Sequence, residues 1–274
     1  MLSIVSYRPL GDIQQTQLLL KSLALFLEFW HDGKMKVTFV GTGDAFGSGG
    51  RLQTCILIEG TTTTFTIDFG ASSLIGMRRE EIDPNSIDLI LLTHLHGDHC
   101  GGIPFLLLDA MLGSKRSNPL TIVGPRGTKE HLQRVQEALF PGSHVMEPKF
   151  ELHYNEINPN HRLEVADLAI DSVEARHTRE TNPLAVCVTS GDKRIAYTGD
   201  GELTDELAQL VNGVDLLIAE SYFYDKAVPW HLNYPDIEHL EPKRVVLTHM
   251  HSNMLEQADK VPEECAYDGY VITI

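Results

Sequence analysis

Residues 89–103 read LILLTHLHGDHCGGI, an apolar run that leads into four side chains able to bind metal ions. These side chains are His94, His96, Asp98 and His99. Alternation along an extended chain places His94 and His96 on the same side, and Gly97 permits a sharp turn that brings the other two round. Imidazole nitrogen and carboxylate oxygen are good ligands for zinc and also for manganese or iron. The segment therefore predicts a strand end that could supply ligands to two metals.

Short apolar runs rich in β-branched residues alternate with helical patterns along the rest of the chain. The runs that predict strands are 36–40, 53–59, 63–67, 89–93, 120–123, 184–188, 194–198, 215–219 and 244–248. Apolar residues at helical spacing predict helices over 128–140 and 202–211. A β-rich first half followed by α/β alternation, without a Pro/Ser linker or a repeat, favours one layered α/β domain.

Residues 1–34 differ from the domain that we expect at 35–274. Their apolar run over 18–30 is broken only by Lys21, Ser22 and Glu28, which predicts one short helix in an N-terminal extension. Three interpretations stay open: a helix that packs on the domain, a translated stretch upstream of a start at Met35, or a helix at a membrane surface. The run is too short to span a bilayer.

Charge and cysteine content narrow the classes of function. The 274 residues contain 22 Lys and Arg against 38 Asp and Glu, a net charge of −16, and such a field repels polyanions. The four cysteines form no CxxC pair, which argues against a zinc ribbon and a disulfide scaffold. With no apolar stretch of membrane-spanning length and no signal peptide in the sequence, we expect a cytoplasmic protein without a membrane partner.

The segment Thr93–Gly102 resembles the HxHxDH signature of the metallo-β-lactamase superfamily. Further matches occur in the order that the family uses, and the likeness runs from Met35 to residue 274. They are FVGTG at 39–43, IDFG at 67–70, RH at 176–177, TGD at 198–200 and VLTH at 246–249. The resemblance implies a four-layer αβ/βα sandwich with the metals at the edge where two sheets meet.

The same resemblance implies a ligand set for two divalent metal ions, expected to be zinc, with manganese as an alternative. One ion would take His94, His96 and His177, and the other Asp98, His99 and His249, with Asp200 as the bridge. His251 alternates with His249 and could also bind, but the motif aligns better on His249. Asp68 would sit behind the ligand loop, where a carboxylate can orient a ligating imidazole.

Two further residues resemble assisting groups of the ribonuclease Z branch. Glu220 and His231 occupy the places of an acidic residue and a later histidine that help the leaving group depart. A histidine near the metals could protonate a departing alkoxide, because its pKa lies near the working pH. A surface-loop histidine and a structural glutamate are the alternatives. In the expected chemistry, a metal-bridging hydroxide attacks phosphorus while Asp98 and Asp200 hold and polarise it.

The motif set favours a phosphodiesterase. Asp200 stands where antibiotic-hydrolysing members carry a cysteine, and His96 stands where diiron members carry a glutamate. The remaining branch comprises ribonuclease Z, cyclic-nucleotide phosphodiesterases and the cyclic phosphodiesterase of phosphonate breakdown, whose cysteine-rich zinc site is absent here. His177 and Asp200 are only 23 residues apart, which leaves no room for the long arm by which bacterial ribonuclease Z grips tRNA.

We therefore expect a hydrolase of a small or cyclic phosphodiester that does not act on nucleic acid. A ribonuclease Z-like RNA endonuclease, a carboxyl-ester, lactone or thioester hydrolase, and a non-catalytic metal-binding scaffold stay open as alternatives. Relatives often pair, so a homodimer is also expected.

Overall fold

The computed structural model describes residues 34–274, which form two seven-stranded β-sheets with a shared core. The helix expected in the extension at 1–34 lies outside the described residues. The three interpretations of that extension, and its boundary with the domain, stay predictions.

The first sheet combines antiparallel and parallel pairing. Its strands are β1 (Lys36–Gly41), β2 (Cys55–Glu59), β3 (Thr64–Ile67), β4 (Leu89–Leu91), β5 (Leu120–Gly124), β6 (Leu152–Glu156) and β14 (Tyr270–Thr273). They lie in the order β14-β1-β2-β3-β4-β5-β6. The pairs from β14 to β3 are antiparallel, whereas those from β3 to β6 are parallel.

The second sheet repeats this mixture. Its strands are β7 (Leu163–Val165), β8 (Leu168–Glu174), β9 (Leu184–Ser190), β10 (Lys193–Tyr197), β11 (Leu216–Glu220), β12 (Val245–Thr248) and β13 (Glu264–Cys265). The order is β13-β12-β11-β10-β9-β8-β7. Pairing is antiparallel from β7 to β10 and parallel from β10 to β13.

In the part of the chain that the structure describes, six α-helices connect the strands. They are α1 (Ser73–Arg79), α2 (Gly97–Cys100), α3 (Ile103–Leu108), α4 (Thr128–Leu139), α5 (Asp205–Val211) and α6 (Ser252–Leu255). The helix predicted over 202–211 begins later, at Asp205, because the Thr204 side chain accepts a hydrogen bond from the Leu207 amide and caps the helix. Within residues 34–274, no helix combines the length and the apolar character that a membrane crossing needs.

Apolar side chains of both sheets meet in the central core. Phe39 and Ile67 of the first sheet lie in one buried cluster with Val186 and Tyr197 of the second. Each side chain is fully removed from water, so this interface supplies much of the hydrophobic stabilisation.

Helices cover the outer face of each sheet. Leu57 and Ile90 of the first sheet share a buried cluster with residues of α1, α3 and α4, such as Leu132. Leu217 of the second sheet shares one with Leu207 of α5 and with a residue of α6. The resulting order of layers, helix, sheet, sheet and helix, confirms the predicted αβ/βα sandwich.

One edge of the sandwich collects the carboxyl ends of parallel strands from both sheets. The residues that end or follow these strands are Asp68, His94, Asp200, Glu220 and His249. Backbone hydrogen bonds join the sheets here, from the Leu184 amide to the Thr93 carbonyl (3.0 Å) and from the His249 amide to the Thr42 carbonyl (3.1 Å). Functional side chains from distant parts of the chain therefore meet on a rigid frame.

Candidate metal centre

The ligand loop after β4 is held by close backbone packing. Gly97 begins α2 without a positive φ, so the expectation that its conformational freedom permits the turn is wrong. Glycine is instead required at Gly70 and Gly102. A Cβ at Gly70 would lie 2.2 Å from the Asp98 carbonyl oxygen, and a Cβ at Gly102 would lie 2.2 Å from that of Gly70. These contacts fix where α2 presents its side chains.

Three histidine nitrogens converge at the first predicted metal position. His94 Nε2 lies 3.1 Å from His96 Nδ1, which lies 3.2 Å from His177 Nε2. Two ligands bound at about 2.0 Å to one tetrahedral ion are about 3.3 Å apart, so the spacing fits a shared cation. The structure thus brings His177 to the pair on the ligand loop, as the resemblance implies.

Two carboxylates and two imidazoles form the adjacent cluster. His99 Nε2 lies 3.2 Å from Asp98 Oδ2 and 3.4 Å from Asp200 Oδ1. His249 Nε2 lies 3.5 Å from Asp98 Oδ2 and also 3.5 Å from Asp200 Oδ2. His99 Nε2 and Asp200 Oδ1 are buried and make no hydrogen bond. Because unpaired buried polar atoms are costly, this donor set fits a divalent cation.

The two clusters adjoin each other. The ring centroids of His94 and His99, which belong to different clusters, are 4.1 Å apart. Asp200 turns one carboxylate oxygen toward each of two histidines, His99 and His249. Both contacts of Asp200 lie within the second cluster, so the bridging role that the resemblance implies for Asp200 stays a prediction.

Two of the candidate ligand imidazoles are held through their other ring nitrogens. His99 Nδ1 lies 2.7 Å from Asp68 Oδ2, and Asp68 also accepts hydrogen bonds from the Thr93 backbone and hydroxyl. His177 Nδ1 donates to the carbonyl oxygen of Trp230 at 2.8 Å. Such partners fix the tautomer and the orientation of a ligating ring. Asp68 therefore lies behind the ligand loop.

The charges in the site favour a bound cation. Burial lowers the pKa of His94 well below its usual value, which keeps the ring neutral and able to ligate. Burial acts in the same direction on His99 and His249 and is the largest single influence, but the surrounding carboxylates, Asp200 foremost, together outweigh it and raise the pKa of both well above the usual range. Burial also opposes ionisation of Asp98 and Asp200, yet His99 and His249 together hold the pKa of both carboxylates below its usual value.

Glu220 lies behind the site and positions two histidines. It is fully buried at the end of β11, and its Oε1 lies 2.5 Å from His231 Nδ1 and 3.2 Å from His249 Nδ1. Its Oε2 accepts hydrogen bonds from the amides of Gly201 (3.1 Å) and Leu232 (2.9 Å). Burial would lower the pKa of His231, but the hydrogen bond to Glu220 raises it. His231 and His249 both line the cavity over the clusters, whereas Glu220 does not.

The two candidate histidines of the last motif, His249 and His251, have different contacts in the structure. His249 is 1% exposed and contacts both carboxylates of the cluster. His251 is half-buried, its Nδ1 accepts a hydrogen bond from the Asn253 amide at the start of α6, and its ring stacks on Phe223 with centroids 4.5 Å apart. The structure therefore places His249 at the cluster and gives His251 a role in capping α6.

A cavity of about 330 Å³ opens over the clusters and contains residues that the sequence patterns do not single out. Phe46, Tyr222 and Trp230 line it together with His231. Tyr222 stacks on His231 with ring centroids 4.1 Å apart and planes tilted by 17°. The position of Trp230 beside a candidate histidine is the one sequence signal that could have indicated these residues.

Comparisons with known proteins agree with the fold. A sequence model of the family described as "Beta-lactamase superfamily domain" matches residues 64–250. The ribonuclease Z of Lachnoclostridium phytofermentans is 34% identical over 146 residues, which are 52% of this chain and 45% of that protein. The ribonuclease Z of Methanosarcina acetivorans is 23% identical over 283 residues, with 83% and 91% covered. The chain thus matches less than half the length of the first of these relatives.

Solved structures with the same architecture include proteins that are named for different activities. The metallo-β-lactamase fold protein YhfI of Bacillus subtilis has a TM-score of 0.72 at 21% identity and covers 88% of this chain and 100% of its own. The short form of human tRNase Z has a TM-score of 0.69 at 24% identity, with 86% and 98% covered. A diphosphatase of the PhnP family has a TM-score of 0.69 at 20% identity, with 87% and 97% covered. At these identities the likeness shows the fold.

Proposed function

Because the chain belongs to the beta-lactamase superfamily, we propose that it is a metal-dependent hydrolase that cleaves a small or cyclic phosphodiester. The convergence of two adjacent ligand clusters under one open cavity carries the proposal. The three histidines of the first cluster would hold one divalent cation, and Asp98, His99 and His249 a second, with Asp200 between them. The names of the relatives, ribonuclease Z and a diphosphatase, support phosphorus as the site of attack.

When bound, two cations such as zinc or manganese would activate water and neutralise charge on the phosphoryl oxygens. The chain's own groups then orient the water and supply one proton. Asp98 and Asp200, which both line the cavity, hold and polarise the attacking water, whose proton passes to solvent as its oxygen bonds to phosphorus. His231 donates a proton from Nε2 to the leaving oxygen as the second P–O bond breaks, giving a phosphomonoester and an alcohol. Glu220 acts as a positioning residue, because it holds Nδ1 of that ring.

Ribonuclease Z-like cleavage of RNA is the second candidate, and the curated relatives favour it. Two observations favour the smaller substrate instead. The chain between His177 and Asp200 consists of a short 3-10 turn and the β9–β10 hairpin, in which Ser190 pairs with Lys193. No arm extends from this part of the chain. The net charge of −16 also opposes a polyanion.

The test uses bis(p-nitrophenyl) phosphate and protein of measured metal content. We expect turnover that a chelator abolishes and that added zinc or manganese restores. Protein that takes up no metal and gains no activity with any would refute the proposal. Faster turnover of a lactone or thioester would favour the carboxyl-ester alternative. Stoichiometric metal without hydrolysis of any member of a broad panel would favour a binding scaffold.

A further inference from the structure

We propose that Phe46 and Trp230 form an aromatic rim that stacks on a nucleobase, so that the preferred substrate is a nucleoside phosphodiester. The inference deepens the proposed function and rests on it for the position of the phosphate. The rim residues come from different halves of the sandwich. Phe46 lies in the loop between β1 and β2, and Trp230 lies in the loop after β11. Both line the cavity that also contains Asp98, Asp200 and His231.

The exposure of both rings is the first observation behind this inference. The Phe46 side chain is 82% exposed and the Trp230 side chain is 59% exposed, although each is large and apolar. Single exposed apolar residues are common and need no explanation. Two of them at the mouth of the cavity with the metal ligands form a surface suited to a flat apolar ligand.

The loop that carries Phe46 is held by hydrogen bonds to a buried carboxylate. Asp44 is fully buried, and its carboxylate accepts hydrogen bonds from the Phe46 amide (3.1 Å), the Ser48 amide (2.9 Å) and the Ser48 hydroxyl (2.7 Å). The exposed ring is therefore presented by a backbone of fixed shape, so less conformational entropy is lost when it contacts a ligand.

Trp230 adopts a backbone conformation that a bulky residue rarely takes. Its φ is +69°, in the left-handed region that favours glycine. Its amide donates to Glu202 Oε1 at 2.9 Å, and its carbonyl accepts the hydrogen bond from His177 at 2.8 Å. Glycine could make both backbone contacts without strain. Tryptophan therefore adds only its indole ring at this position, at the cost of backbone strain. Strain of this kind is concentrated at functional sites.

A nucleobase fits this surface better than an aliphatic group does. Every base has a π face that stacks on aromatic side chains, and such stacking tolerates different base sequences. In a nucleotide the base is joined through one sugar to the phosphate, so a phosphate over the clusters leaves the base near the cavity mouth. The rim would then act on substrate choice, while the metal ligands and His231 act on the reaction.

The test measures binding and needs no turnover. Calorimetry on metal-loaded protein compares thymidine 5′-monophosphate with 2-deoxyribose 5-phosphate, which share a phosphate and differ in the base. We expect the thymidine compound to bind about tenfold more tightly, the ratio to fall about fivefold in Phe46→Ala and in Trp230→Gly, and Trp230→Phe to recover most of it. Tyr267→Ala serves as the matched control, since Tyr267 is 55% exposed and does not line this cavity.

Equal binding of the two compounds by the unmodified protein would overturn the inference. So would a ratio that stays the same in Phe46→Ala and Trp230→Gly, which would assign the exposed rings to a different partner. Protein that prefers the thymidine compound yet hydrolyses no phosphodiester would refute the proposed function and leave the nucleobase site standing. Protein that hydrolyses phosphodiesters without any preference for a base would support the proposed function and refute the nucleobase site.

Discussion

At the scale of single residues, the site depends as much on the groups behind the ligands as on the ligands. Asp68 and the carbonyl oxygen of Trp230 each hold a ring nitrogen of a histidine on the opposite side from the clusters, and Glu220 Oε1 lies 3.2 Å from Nδ1 of His249. Asp68 itself has a φ of +59°, a conformation that aspartate and asparagine tolerate better than most residues. The orientation of the ligands is therefore set before any cation binds.

Asp68→Asn should weaken metal binding without disturbing the fold. The amide keeps the shape of the side chain and tolerates the backbone, but it removes the negative charge beside His99. Loss of such an orienting group typically costs about 10- to 100-fold in metal affinity. Metal titration monitored by competition with a chelating dye would measure it, with the exposed Asp192→Asn as control. Unchanged affinity in Asp68→Asn would contradict this role.

Alanine substitutions at Asp200 and at His231 should have different effects on metal content and on rate. Asp200→Ala removes a carboxylate that contacts two ligand histidines, so both metal content and rate should fall. His231→Ala should retain metal and lose about 100-fold in rate, more for an alkyl leaving group than for p-nitrophenolate, because a poor leaving group depends more on its proton. Metal analysis and paired kinetics on the two ester types separate these outcomes. Equal metal loss in both variants would refute the division of roles.

Sequence patterns anticipate side-chain groups, including the supporting Asp68 and Glu220, far better than supports that come from the backbone. The residues that the motifs indicate as ligands all meet in the structure, because each motif combines a strand end with a metal-binding side chain. Trp230 contacts His177 through its backbone carbonyl oxygen. Because every residue type has this group, the sequence cannot predict the contact. Phe46 is exposed in a loop without periodicity, and only its place at the cavity reveals it.

At the scale of elements, the nine predicted strands are confirmed and the missed ones are mainly edges. β6, β7, β13 and β14 each lie at the margin of a sheet, and the fifth missed strand, β8, lies next to β7. β6, β7 and β13 are short or carry charged residues, which protects edges from pairing with other chains and removes the apolar run that identifies a strand, whereas β14, with the sequence YVIT, is an apolar run that the sequence analysis missed. β6, with the sequence LHYNE, has no fully buried side chain.

An ion pair links two of these edges. Arg244 donates to both carboxylate oxygens of Glu264 in β13, at 2.7 Å each, and to the Thr273 carbonyl of β14 at 3.3 Å. The Tyr270 hydroxyl also donates to Glu264. The contact joins the β13 edge of the second sheet to the β14 edge of the first.

Glu264→Gln should therefore destabilise the fold, and the effect should depend on pH. The hydrogen bond from Arg244 lowers the pKa of Glu264, so its contribution is present above the usual glutamate pKa of about 4.3 and is lost as the pH falls through the lowered value. Since both side chains are about one-third exposed, the loss should be only about 0.5–1 kcal/mol at pH 7. Urea unfolding at pH 7 and pH 3.5, with the exposed Glu238→Gln as control, measures the difference, and a loss that grows toward low pH would contradict this assignment.

At the scale of the whole molecule, the pairing of basic side chains bears on the proposed choice between a small substrate and RNA. Arg78 and Arg176, two of the basic residues that could have gathered near the site, pair with Asp109 (3.0 Å) and Glu202 (3.3 Å). Arg51 donates to the Ala266 carbonyl oxygen, where burial lowers its pKa. The two ion pairs neutralise Arg78 and Arg176, and the chain as a whole carries a net charge of −16.

Precursor tRNA should therefore be a poor ligand and a poor substrate, even though curated relatives are named ribonuclease Z. Binding to RNA requires that cationic side chains displace counterions from several phosphates, and the net charge opposes this. We expect a dissociation constant weaker than about 100 μM at 150 mM salt. The metal-loaded protein should cleave a 2′,3′-cyclic nucleotide under conditions in which precursor tRNA stays intact. Specific cleavage at the tRNA 3′ end, with a higher kcat/KM than for the cyclic nucleotide, would instead establish the ribonuclease alternative, and would require that the RNA be gripped by a surface other than the interval between His177 and Asp200.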